Sequence, residues 1–80
     1  MSQILTLYTG PHCHLCEQAK SLIYPVLEGT DWRLQEVNIT DSEELRERYG
    51  VRIPVIATPE GQEKGWPFTV GQVKRLINSL

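Results

Sequence analysis

The chain has no block of like charges, no long apolar run and only two cysteines among its 80 residues. With a net charge of −2 and signs mixed along the sequence, it offers no basic surface of the kind that binds nucleic acid or acidic lipid. No apolar stretch approaches the ~18 residues of a membrane span. Met1-Ser2-Gln3 runs directly into an apolar segment. Without a basic n-region, a long apolar h-region or a cleavage site, no secretory signal is expected. Repeats, linkers and low-complexity segments are missing too, and a chain this short is expected to form a single domain over residues 1–80. Such a domain buries only roughly 60–65% of its unfolded surface. Its core is therefore thin, and a partner is expected to dock on the surface rather than enter a large cavity. The expected protein is a cytoplasmic monomer that engages neither nucleic acid nor membrane.

What is present is concentrated in Cys13-His14-Leu15-Cys16. The two thiols stand three residues apart, after a short apolar run and a Gly10-Pro11 turn, at the start of a segment with helical periodicity. The unpaired N–H groups and positive potential of a helix N-terminus favour a thiolate. A strand, a turn and C-x-x-C at a helix start read as a thioredoxin-type redox site. As a structural staple the pair is poor: so short a loop is worth about 2 kcal/mol in the chain-entropy model, and closing it ties no distant segments together.

The rest of the chain supplies a scaffold. Gln3 to Tyr8 reads as a central strand, apolar on both faces. From Cys13 onward, Leu15, Ala19, Leu22, Ile23 and Val26 fall on one helical face, and Pro25 is expected to kink or stop that helix. Trp32 to Ile39 is a second strand whose alternation is imperfect, as a bulge or a late strand start would explain. Asp41 is expected to cap a second helix, with Glu44 at the capping-box position and Gly50 as a left-handed stop. Ile53 to Thr58 and Gln62 to Lys64 read as two further strands around a Pro59-Glu60-Gly61 turn. Thr69 to Gln72 form a capping box, Phe68 can staple onto Val73, and Val73, Leu76, Ile77 and Leu80 form the last apolar face. The order is βαβαββα: an α/β, thioredoxin-like fold with a four-stranded mixed sheet covered by three helices and a right-handed βαβ crossover.

Helix phase gives the sulfurs different surroundings. Cys16 falls beside the apolar stripe and faces inward, whereas Cys13 lies with Glu17 and Lys20 on the exposed side. The exposed thiol is the expected nucleophile and the inner one the expected resolving thiol. His12 and His14 flank Cys13, where imidazolium charge would stabilise its thiolate. Pro54, preceded by Ile53, opens the strand beside the dithiol. A cis bond there would aim backbone groups at a substrate chain. Tyr8 and the Trp66-Pro67-Phe68 segment are candidates to line a thiol-substrate groove, with core or edge packing as the competing reading.

Together, Leu7 to Lys20 (LYTGPHCHLCEQAK), Tyr49 to Val55 (YGVRIPV) and Trp66-Pro67-Phe68 resemble the glutaredoxin family, and in particular its small bacterial glutaredoxin-like members. The resemblance runs from about Gln3 to Leu80. It implies a thioredoxin fold and dithiol–disulfide exchange, with Cys13 attacking, Cys16 resolving and Pro54 as a cis-proline. The implied substrate is a disulfide in a protein or small molecule, with the electron donor unnamed. Glutathione is implied as a reductant, but its usual anchors are missing. Gly10 stands where glutaredoxins commonly carry Lys, and Gly65 to Thr69 stand where they carry Gly-Gly-Asp. Two other readings stay open on the residues alone. One is a thioredoxin-fold binding or regulatory module without turnover. The other is a metal or cluster bound by Cys13 and Cys16, which would need a bridged dimer because the chain has no second cysteine or histidine pair.

Overall fold

The computed structural model describes residues 3–78; Leu80 of the expected last apolar face lies outside them. The elements are β1 (Gln3–Thr9), α1 (His14–Leu27), β2 (Trp32–Asn38), α2 (Glu43–Tyr49), β3 (Val55–Ala57), β4 (Glu63–Gly65) and α3 (Val70–Ile77). The four strands form one sheet in the order β2-β1-β3-β4. β2 runs parallel to β1, from Gln3 opposite Trp32 to Thr9 opposite Asn38, and β3 and β4 are antiparallel to their neighbours. This is the βαβαββα order and mixed sheet expected from the sequence.

Side-chain alternation along β1 divides the interior in two. Leu5 and Leu7 point to one face and are fully buried there with Ala19, Ile23, Val26 and Leu27 of α1, Trp32, Ile56, Phe68, and Val73 and Ile77 of α3. Each fully buried aliphatic or aromatic side chain of this kind contributes about 1.5–3 kcal/mol. The opposite face carries a smaller cluster of Ile39, Tyr49 and Val55, with Tyr8, Leu45 and Ile53 packed against it. Short α2 covers only this end of the sheet, which leaves Ile4 37% exposed. β1 is thus buried on both faces only toward its C-terminal end.

The uneven alternation of β2 has the same origin. Pairing with β1 is unbroken over all seven residues, so neither a bulge nor a late start is present. Trp32 and Leu34 join the main core, whereas Ile39, just past the strand, joins the α2-side cluster. The two phases serve two layers.

Four local expectations change. α1 does not stop at Pro25 but continues to Leu27, because exposed Pro25 lies opposite Val26 and Leu27, which the core holds. Leu15 is 45% exposed, and Cys16 takes the inward position at that level of the helix. Ser42, not Asp41, caps α2, accepting from the Leu45 N–H; Asp41 belongs to the preceding 3₁₀ turn, Ile39–Asp41. Gly50 ends α2 with helical rather than left-handed torsions (φ −50°, ψ −41°), and a side chain there would run into the Arg46 carbonyl oxygen. Strand ends also move: β1 runs one residue further, to Thr9, β2 ends one residue earlier, at Asn38, β3 is shortened to Val55–Ala57, and β4 is shifted by one residue to Glu63–Gly65. By contrast, the Thr69–Gln72 capping box is complete in both directions, and Phe68 and Val73 share the main core.

Tyr49 is the hub of the α2 side. Its ring stacks on Tyr8 at 4.2 Å, Arg48 and Arg52 lie over it at 5.7 and 5.6 Å, and its hydroxyl donates to Glu63. Burial, reinforced by Glu63, pushes the Tyr49 hydroxyl up from 10.0 to about 12. A raised folded-state value means that ionisation favours the unfolded chain. The Tyr49 contribution to stability is therefore intact below pH 10 and is lost as pH rises toward 12. Tyr49→Phe removes a hydrogen bond to a carboxylate and is expected to cost about 1.5–3 kcal/mol in urea unfolding at pH 7. The variant should also show a flatter loss of stability between pH 10 and 12 than the parent.

Candidate functional site

The end of β1 delivers Thr9 and Gly10 to the top of the sheet, and the chain turns through Pro11 and His12 into α1. His12 adopts a left-handed backbone (φ 55°), the one described non-glycine residue to do so. Gly10 of the Gly10-Pro11 turn has no positive φ; the positive-φ glycines are Gly29 and Gly61. The missing side chain of Gly10 leaves room for the end of the Ile53 side chain instead. A Cβ built there would lie 2.9 Å from Ile53 Cδ1, so the absence of a side chain lets Ile53 lie over the turn. This contact brings the Ile53-Pro54 segment alongside the cysteine turn. The Ile53–Pro54 bond is cis, and so is Trp66–Pro67, a second isomer the sequence analysis did not anticipate.

Cys13 is the N-cap of α1. Its Sγ accepts the Cys16 N–H at 3.1 Å, and its carbonyl accepts the Glu17 N–H at 3.3 Å. One orphan donor of the helix start is thereby aimed at sulfur. Cys13 and Cys16 form a disulfide, with Cα atoms 5.2 Å apart. Cys13 is half-buried at the surface, whereas Cys16 is 2% exposed. An open depression of about 340 Å³ surrounds the outer sulfur, lined by Thr9, Gly10, His12, Cys13, His14 and Glu17. At its rim, Lys20 bridges Glu17 at 3.1 Å and Glu36 at 3.2 Å, and these carboxylates, Glu17 first, hold the Lys20 ammonium above its ordinary pKa.

The other expected site residues are distributed unequally. Pro54 is buried, and its carbonyl accepts the Trp66 N–H at 3.0 Å; neither of them, nor Ile53, lines the depression. The Trp66 ring packs half-buried against the main core and meets Phe68 edge-on at 5.0 Å. Tyr8 turns to the α2 face against Tyr49 and does not line the depression. Glu17, Lys20 and the Gly10–Ile53 contact were not singled out as site features from sequence. The i,i+3 spacing of Glu17 and Lys20 was a readable signal for their pairing. Nothing in the chain announced the Gly10 contact. Among the described residues, no group of three or more His, Cys, Asp or Glu side chains is arranged to hold a metal ion, and no helix is long and apolar enough to cross a membrane.

Residues 4–78 match the glutaredoxin-like domain (DUF836) family. The chain belongs to this glutaredoxin-like family. Its structural relatives agree. The X-ray structure of the structural-genomics target protein XcR50 from X. campestris is 34% identical, superposes with a TM-score of 0.83, and is matched over 95% of this chain and 97% of its own. The solution structure of protein Ne2328 from Nitrosomonas europaea is 26% identical, with a TM-score of 0.75 over 85% of this chain and 82% of that one. A mutant thioredoxin from Halobacterium salinarum NRC-1 shares 20% identity and a TM-score of 0.74 over 98% of this chain and 74% of its own; that likeness is one of fold. None of the curated proteins matches the chain. This glutaredoxin-like domain therefore has a thioredoxin fold with a C-x-x-C pair at disulfide distance at the start of its first helix.

The left-handed backbone at His12 gives a direct check of the turn. A β-branched side chain is strained there, so His12→Val is expected to cost about 1–2 kcal/mol in urea unfolding of the oxidised protein. His12→Gly should match or exceed the parent's stability.

Proposed function

We propose that this glutaredoxin-like protein is a dithiol–disulfide oxidoreductase in which Cys13 attacks and Cys16 resolves. The observation that carries the reading is the unequal setting of two bonded sulfurs. One is half-buried at an open depression with a helix N–H on it, and the other is 2% exposed beneath it. In the reduced protein that N–H stabilises negative charge on Cys13.

The Cys13 thiolate attacks one sulfur of a substrate RS–SR′. The Cys13–SR bond forms, the substrate S–S bond breaks, and R′S⁻ leaves and takes a proton from solvent. Cys16, having lost its thiol proton to solvent, then attacks Cys13 Sγ. The Cys13–Cys16 bond forms and RS⁻ departs to be protonated. The substrate has gained two electrons and the protein has lost two. An external thiol or dithiol restores the protein by the reverse sequence. His12 and His14, both lining the depression, add positive charge beside the outer sulfur whenever protonated. The substrate chain would lie beside Ile53, which rests over Gly10, with Pro54 buried behind it and bonded through its carbonyl to the Trp66 N–H.

Cys13→Ser is expected to abolish reduction of a small disulfide. Cys16→Ser should accumulate a mixed disulfide on Cys13, seen as an adduct by intact mass and released by a small dithiol. Full reductase activity in both single variants would rule the assignment out.

A further inference from the structure

We propose that the disulfide reduced at this site lies within a polypeptide and is flanked by uncharged side chains, and that glutathione disulfide is a poor substrate. The inference rests on the oxidoreductase reading above and concerns the selectivity of the same site.

Three observations carry it. First, the depression around Cys13 has no Lys or Arg in its lining, and the one carboxylate there, Glu17, opposes an anionic substrate. The ammonium at its rim is already committed: Lys20 faces Glu17 and Glu36, one cation against two carboxylates. Second, the neighbouring guanidinium is turned away. Arg52, next to Ile53 in sequence, lies over the Tyr49 ring at 5.6 Å and 3.9 Å from Glu63. Position 10, a glycine, supplies no cation either. Third, apolar side chains stand exposed on both segments that meet at the site, beside the polar His12, His14, Glu17 and Arg52. Leu15, between the cysteines, is 45% exposed, and Val51, two residues before Ile53, is fully exposed. Glutathione disulfide brings several free carboxylates, and the lining offers them no Lys or Arg, only His12 and His14, which are cationic when protonated. A cysteine inside a chain, flanked by apolar or neutral residues, brings none and can cover Leu15.

The test uses the whole protein, pre-reduced, in single-turnover reactions at low ionic strength and pH 8, where imidazole is ordinarily uncharged. Three oxidants are compared: glutathione disulfide, the symmetric disulfide of an acetylated and amidated Ala-Cys-Leu peptide, and the same peptide with Glu flanking Cys. Each rate is divided by that of dithiothreitol with the same disulfide, which removes differences in intrinsic reactivity. The neutral peptide is expected to exceed both anionic oxidants about tenfold, with the gap narrowing as salt is added. Glu17→Gln should shrink the ratio of neutral peptide to glutathione disulfide about threefold, the effect of one nearby like charge in water. Equal normalised rates, or a preference for glutathione disulfide, would overturn the selectivity and leave the oxidoreductase reading standing. If no disulfide oxidised the reduced protein, that reading would fail, and the selectivity with it.

Discussion

Leu5 and Leu7, fully buried, lock the centre of the sheet against α1, and the position of the dithiol follows from that contact. Because β1 alternates strictly, burying these two leucines fixes where Thr9 and Gly10 emerge. Because Ala19, Ile23, Val26 and Leu27 of α1 share the same core, the rotation of the helix about its axis is fixed as well. Cys16 lies one turn before Ala19 on that inward face, so it is buried by the same packing that holds the fold. Cys13, three residues earlier at the cap, has nowhere to be but at the surface. Truncating a leucine in such a position typically costs 2–5 kcal/mol, and here the loss would also loosen the angle at which the helix presents its sulfurs.

The second layer has a narrower task. The cluster under α2 is small, and polar contacts around Tyr49 supplement its burial: a ring stack with Tyr8, two guanidinium groups and the Glu63 carboxylate. These contacts link the end of α2, the loop that follows it and β4. That loop carries Ile53 to its seat over Gly10. The main core therefore positions the cysteines, and the Tyr49 cluster positions the Ile53 segment that rests over Gly10. In a domain this small, division of labour between two sheet faces lets the site be rigid without a deep cavity.

Much of this was legible in the residues. Apolar patterning placed β1, α1 and α3, whose stripes match covered faces, whereas α2 was read mainly from its capping residues and β4 from the turn before it. The capping box at Thr69 and Gln72 was unambiguous, since both partners are local. Where the reading failed, the deciding interaction lay elsewhere in the chain. Pro25 stays inside α1 because Val26 and Leu27 gain more from the core than the proline loses. The phase change in β2 came from its residues joining two layers on opposite faces of the sheet, which no local pattern encodes. Asp41 and Ser42 are equally good caps by type, and the 3₁₀ turn that takes up Asp41 leaves Ser42 as the cap. At the site, C-x-x-C and the Ile53-Pro54 segment were visible, whereas the reason for Gly10 was not. It serves a residue 43 positions away, and sequence shows only that a turn residue is there.

The separation of three residues between the sulfurs has a kinetic consequence. On the proposed pathway, the second attack is intramolecular, with the resolving sulfur held on the same helical turn as the captured substrate. Its effective concentration is fixed by the fold rather than by the thiol content of the surroundings. The dwell time of a captured substrate is therefore a property of the protein itself, and dilution, which slows the encounter, leaves the release untouched.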